Sequence, residues 1–232
     1  MREELRQHVR HNFAVNVTDA GFYGLGLSFA SFSTILPLFV STLTDSTLLI
    51  GMIGAIHSIG WFFPQLLTAK SVAQLPRFRP MVLKMTLNER IPYFLLALVA
   101  WLAVGVLNRE LALILTFLII MWQAFGAGLT ATAWQSMVAK IMPDNMRGTF
   151  YGTQSGLANL TGIGGAVLSG IILQTLPSPL DFTLCFIICG IAMMLSFAFL
   201  ALTREPAIEP PKEMTMSWGA YWHKLMTILR EN

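Results

Sequence analysis

The sequence predicts an all-α membrane protein with six transmembrane helices. Three observations carry that prediction. First, 55% of the 232 residues are hydrophobic and only 12% are charged, about half of the roughly 25% charged residues typical of a soluble domain. Second, charge-free intervals run over residues 20–44, 46–69, 91–108, 111–139, 148–180 and 182–203. A bilayer crossing takes about 20 apolar residues. Five intervals exceed that alone, and 91–108 reaches it with its flanks. The alternating segments of about 10 residues that mark barrel strands are absent. Third, the cations are placed unevenly. Arg2, Arg6 and Arg10 precede the first run; Lys70, Arg77, Arg79 and Lys84 fill the second connection; Lys140 and Arg147 mark the fourth; Arg204, Lys212, Lys224 and Arg230 follow the last run. Connections one, three and five hold only Arg109. Positive residues resist translocation, so both termini are expected in the cytoplasm and the protein in the plasma membrane as a multi-pass chain. The net charge of +3 then calls for no nucleic-acid partner.

The first apolar run is too long for a cleaved signal and has no small-residue cleavage site after it, so it reads as a signal-anchor. Helix 1 is expected over residues 16–42, with Asp19 at its inner end and Pro37 near its outer end. Helix 2 is expected over 46–69, broken in its inner third by Pro64. Ser58, Trp61, Gln65 and Thr68 share one of its faces. His57 lies near its middle and reads either as a packed side chain or as a proton relay, with no carboxylate near it in sequence.

Helix 3 is expected over 81–107. Its start, LNERIPYF, sets Asn88, Glu89 and Arg90 in the inner leaflet. Adjacent residues point about 100° apart on a helix, so Glu89 and Arg90 are expected to find separate partners. An arginine at full depth costs roughly 2.5–3.5 kcal/mol on insertion scales, so Arg90 is expected to snorkel to the inner surface.

Helix 4 is expected over 110–141, with Gln123, Thr130 and Trp134 on one face. The stretch KIMPDNMRGTFYG then interrupts two long apolar runs. Pro143 ends one helix, Asp144 or Asn145 caps the next, and Arg147 and Gly148 fall in its first turn.

Helix 5 is expected over 146–175. Ala158, Gly162, Ala166 and Gly170 recur every fourth residue, and Gly152 and Gly156 form a second such pair. Small residues at this spacing let helix backbones approach closely in lipid; the stripe reads either as tight packing or as a surface on which a neighbour slides. Gln154, Thr161 and Gly165 share another face. Helix 6 is expected over 181–203, its Cys185 and Cys189 reading as small apolar side chains.

A proline-rich linker, REPAIEPPKE, follows. Beyond it Met214, Trp218, Tyr221, Leu225 and Ile228 make an amphipathic helix. That helix either lies on the membrane surface or docks on the cytoplasmic ends of the bundle. The domain organisation is therefore a cytoplasmic tail (1–11), a six-helix transmembrane domain (12–204) and a cytoplasmic linker with amphipathic helix (205–232).

Polar residues inside apolar runs are expensive unless they face protein or water. Helices 2, 4 and 5 each carry a polar face, and together these predict a common cavity that includes His57, Trp61, Gln65, Gln123, Thr130, Trp134, Gln154 and Thr161. Enzyme chemistry is not supported. Ser155 in YGTQSG lacks a serine-protease G-x-S-G setting, and helix 6 has no histidine. Clustered acidic residues for a metal and a Walker-type phosphate loop are both missing. No cofactor or metal is expected.

Six helices with both ends inside, a basic second connection, and PDNMRG leading into a glycine-rich helix 5 resemble the N-terminal half of a major facilitator superfamily transporter. The resemblance covers roughly residues 12–232. QLLTAKSVAQLPRFRP keeps the positive charge of the family's second connection (Lys70, Arg77, Arg79) without its aspartate and glycines. The resemblance implies two inverted three-helix repeats, with helices 1 and 4 lining a path, 2 and 5 meeting a second six-helix half, and 3 and 6 outside. Ser28 and Ser31 join the substrate path on that basis. Asp19, Lys70, Arg77, Glu89, Arg90, Asp144 and Arg147 become candidates for a cytoplasmic gate.

The implied function is secondary transport of a small solute by alternating access. The partners are the lipid bilayer, the solute and the second half, either a continuation of this chain or a separate one. The uncharged lining points to a neutral or amphipathic solute. The alternative reading is a six-helix membrane protein without transport, an assembly factor or a truncated remnant.

Overall fold

The computed structural model describes residues 2–207, with side chains from Gln7 onward, and the single positions 219 and 227. The amphipathic helix expected after the linker lies outside the described residues. Among those residues there are eight helices and no strand: α1 (Arg2–Phe29), α2 (Ile35–Leu43), α3 (Thr47–Ala73), α4 (Arg79–Arg90), α5 (Pro92–Leu102), α6 (Arg109–Ile141), α7 (Asp144–Thr175) and α8 (Leu180–Ala201).

Four of these, α3, α6, α7 and α8, are each long and apolar enough to cross a membrane. The expected helices 1 and 3 are each divided. Helix 1 starts earlier, at Arg2, and stops at Phe29. It resumes as α2 two residues before Pro37. Pro37 has no N–H, and its ring would collide with the carbonyl four residues back, so a helix can begin in the turn before it but not run through without strain. The hydroxyl-rich break supplies its own bonds, Ser31 Oγ accepting from Ser33 N at 3.3 Å. Helix 3 becomes α4 and α5, parted at Ile91 by Pro92.

Pro64 behaves differently: α3 continues through it, correcting the expected break. The two prolines share a consequence. Neither can donate to the carbonyl four residues before it, Gly60 for Pro64 and Asn88 for Pro92. Each such carbonyl lies against a glycine of α6. A methyl group built on Gly128 would overlap the Gly60 oxygen, and one on Gly126 would overlap the Asn88 carbonyl. The Gly126–Gly128 segment is thereby held between the two proline-bearing strands of helix.

The helix ends follow ordinary capping. Ser46 Oγ accepts from Leu49 N at 3.4 Å, and Asn108 Oδ1 accepts from Leu111 N at 2.8 Å. At the α6–α7 turn Pro143 itself occupies the cap, and Asp144 is the first helical residue rather than the cap. The chain's exit from α8 is clamped by α1. Asn12 Nδ2 donates to the Arg204 carbonyl and Asn12 Oδ1 accepts from Arg204 N, both at 2.9 Å. Asn16 Nδ2 donates to Thr203 Oγ1 at 3.0 Å.

Packing is organised around α1 and α6. α1 lies against α7 and α8, while α6 lies against α3, α4 and α5; α5 and α8 pack together. One apolar cluster joins α2, α5 and α8 around Phe39, Phe182 and Phe186; a smaller one surrounds Met137 and Phe150. The spanning windows of α3 and α7 are only 17% and 11% buried, so these two helices present the open faces of the bundle.

Candidate functional site

A cavity of about 250 Å³ opens inside the bundle. α1 contributes Asp19, Ala20 and Tyr23, and α3 contributes Trp61. Thr86, Glu89 and Arg90 come from α4, while Ala127, Thr130, Ala131 and Trp134 come from α6. Gln154, Ser155 and Ala158 of α7 and Leu200 of α8 complete the lining. Helical period places these side chains together: Asp19 and Tyr23, Thr86 and Arg90, and Thr130 and Trp134 each lie one turn apart.

The polar wall is an ordered network. Arg90, 2% exposed, sends Nε to the Met193 carbonyl at 3.0 Å and Nη2 to Ser196 Oγ at 3.0 Å. Its Nη1 donates to Thr86 Oγ1 and, at 3.4 Å, to the Thr86 carbonyl. Ser196 Oγ in turn donates to Asp19 Oδ1 at 2.5 Å. The carboxylates stand outside hydrogen-bond reach of the guanidinium, Asp19 at 3.8 Å and Glu89 at 3.6 Å. Tyr23 donates its hydroxyl to Glu89 Oε1, and the Arg90 guanidinium lies 5.9 Å from the Tyr23 ring centre. Across the cavity, Gln154 is 9% exposed, and among the described residues its amide has no hydrogen-bond partner.

Of the substrate-path residues expected from the sequence, Trp61, Thr130, Trp134 and Gln154 line this cavity. The others lie elsewhere. Ser28 Oγ donates to the Leu25 carbonyl, and Ser31 pairs with Ser33 in the break at 3.0 Å. His57 stacks on Phe32 with ring centres 3.9 Å apart. Gln65 folds back on the Trp61 carbonyl at 2.8 Å. Gln123 is buried with Oε1 unpartnered, and Thr161 donates to the Gly21 carbonyl at 2.7 Å. A hydroxyl in an apolar run finds a local carbonyl more cheaply than it holds a cavity open.

The gate candidates divide. Asp19, Glu89 and Arg90 belong to the cavity wall. Arg90 does not snorkel: Ser196, Thr86 and the Met193 carbonyl satisfy it at depth, and it stands near its sequence neighbour Glu89 after all. The lining is accordingly charged, against the uncharged lining expected from sequence. At the bundle end, Asp144 and Arg147 form an exposed pair at 2.7 Å, and Arg147 also donates to the Ala139 carbonyl at the end of α6. Arg77 is exposed and Lys70 half-buried in the α3–α4 connection.

The expected small-residue stripe is only partly at an interface. A methyl on Gly24 would overlap the Ala158 backbone, and Gly162 lies near the Gly24 carbonyl. The packed face then passes to Gly165 and Ser169, while Ala166 is exposed and Gly152, Gly156 and Gly170 face open space. Four-residue steps overrun the 3.6-residue turn by about 40° each, so a strict fourth-residue stripe rotates off the contact.

Tyr23, Thr86 and Ser196 were not singled out from sequence. For the first two the signal was available, one turn from Asp19 and Arg90 respectively. Ser196 had none, because its role depends on α8 lying against α1 and α4.

An apolar helical bundle enclosing a buried, charged cavity defines a membrane protein with an internal polar site. The family model described as Major Facilitator Superfamily matches residues 87–231, and the chain belongs to that superfamily of membrane transporters. A search of curated proteins found no match.

Proposed function

We propose that this chain is a six-span half of a secondary transporter that moves a small solute by alternating access, with the α1–α8 cavity as its part of the path. In this reading α1 with α2 makes the first span, and α4 with α5 the third. α3, α6, α7 and α8 make the others. Both termini lie in the cytoplasm of a plasma-membrane protein, residues 12–204 form the transmembrane unit, and a second six-helix half completes it.

The observation that carries the reading is the cavity itself. It is walled by Trp61, Thr130, Trp134 and Gln154 together with a buried charge network, a combination expensive in lipid and useful where a polar solute passes. Two further features support the arrangement. The packing has an exchange symmetry: α1 on α7 matches α6 on α3, and α1 on α8 matches α6 on α4 and α5, as two three-helix repeats would give. The open faces of α3 and α7 are where a second half would seat. Asp144 and Arg147, with the basic α3–α4 connection, would form the cytoplasmic gate.

The test is uptake of a solute panel into vesicles carrying this chain with its second half, under imposed proton and sodium gradients. Gradient-dependent uptake that Trp134→Ala or Gln154→Ala reduces at least tenfold is the expected result. No uptake of any solute by well-folded protein would overturn the reading, and wild-type rates in both variants would remove this cavity from the path.

A further inference from the structure

The cavity wall does not balance its charge. Asp19 and Glu89 supply two carboxylates and Arg90 the single guanidinium, all at most 6% exposed. Among the described residues no other Lys, Arg, Asp or Glu lines the cavity. The guanidinium also directs its N–H groups away from the acids, toward Thr86, Ser196 and the Met193 carbonyl. The donors facing the carboxylates are neutral hydroxyls: Ser196 for Asp19, and Tyr23 with, at 3.4 Å, Thr86 for Glu89. Coulomb attraction to Arg90 is divided between them at 3.8 and 3.6 Å. With both acids ionised, one negative charge is left over on carboxylates that are themselves almost wholly buried, where a charge without a counter-ion is costly.

The rest of the wall matches a particular kind of counter-ion. Trp61, Trp134 and Tyr23 present aromatic rings to the same space, and aromatic faces attract cations most strongly when desolvated. Gln154, nine-tenths buried and without a partner among the described residues, offers an amide oxygen to a donor. The alanines 20, 127, 131 and 158 keep the remaining wall apolar and shallow.

We infer that the cavity binds a monovalent organic cation with a compact apolar or aromatic body, its charge held by Asp19 and Glu89 and its body by Trp61 and Trp134. This names the solute class within the transport reading and rests on it.

The test uses the full chain in lipid nanodiscs and equilibrium dialysis with labelled benzyltrimethylammonium. Its neutral carbon isostere neopentylbenzene and the anion phenylacetate are measured beside it. Saturable binding of the cation, at least tenfold tighter than either comparison compound, is expected. Asp19→Asn and Glu89→Gln should each weaken it at least tenfold, and Trp134→Leu severalfold, in protein that elutes as a single species. Equal binding of cation and isostere would mean that a proton has already neutralised the excess charge, and would overturn the inference even if the variants do not fold. Wild-type cation affinity in both charge variants would overturn it too. Cation binding without uptake of any solute would sustain the site and remove transport; uptake of neutral solutes without saturable cation binding would do the reverse.

Discussion

The Arg90 guanidinium stops 3.8 Å from the Asp19 carboxylate, and Ser196 stands between them. The serine accepts from Arg90 at 3.0 Å and donates to Asp19 at 2.5 Å. The serine thus relays a charge-assisted contact across three helices: α1, α4 and α8. It also keeps the acid and the base from forming a closed, bidentate pair, and so keeps the acid's charge open to the cavity.

The first prediction concerns charge count. Removing one carboxylate, by Glu89→Gln or Asp19→Asn, leaves one acid for one guanidinium and should not lower the melting temperature. Removing both leaves Arg90 buried and alone. Breaking a buried pair in this way costs about 3–5 kcal/mol, so the double variant should be far less stable than its singles imply. Thermal melting followed by size-exclusion fluorescence measures this. Additive effects would mean that the two acids do not share Arg90.

A second prediction follows from the proline-bearing turns. Gly128→Ala puts a methyl into the Gly60 carbonyl at the α3–α6 crossing. Overpacking of this kind costs about 1–3 kcal/mol. Gly152→Ala and Gly156→Ala meet nothing within 4 Å, and should be neutral or stabilising by up to about 1 kcal/mol through the helical preference of alanine. The same melting assay compares them; a stable Gly128→Ala would deny the close approach.

A third concerns the end of the bundle where α8 finishes. Glu205, its side chain 1% exposed, bonds Lys140 Nζ at 2.7 Å. It also accepts from Phe78 N at 2.9 Å and Arg79 N at 2.6 Å, at the start of α4. Lys140 in turn reaches the Pro76 carbonyl at 2.8 Å. One carboxylate therefore joins the α3–α4 connection, the end of α6 and the chain leaving α8. Glu205→Ala strands the lysine and two helix-start amides, and should destabilise by about 3–5 kcal/mol. Because the pair is shielded, 1 M salt should reduce that loss little. An effect that vanishes in salt would place Glu205 at the surface.

What the sequence determined is the medium and the order of helices. Apolar length and charge spacing are local quantities, and bilayer thickness sets them directly. Hence the bounds of α6 and α8 agree with expectation to within two residues, and Asn108 and Ser46 cap as helix-start residues do. Pro37, Pro64 and Pro92 were equally visible. Whether each divided its helix was not: α3 runs through Pro64 while the helix parts at Pro92, although in both cases the bereft carbonyl meets a glycine on α6. The cavity was legible as polar faces at helical spacing, which recovered Trp61, Thr130, Trp134 and Gln154. Its charge was not. Read alone, Arg90 belongs at the surface, since its helical neighbour Thr86 takes bonds from one guanidinium nitrogen only. Only the packing of α8 against α1 and α4 brings Ser196 and the Met193 carbonyl to it, and with them Asp19, the second acid beside its chain neighbour Glu89.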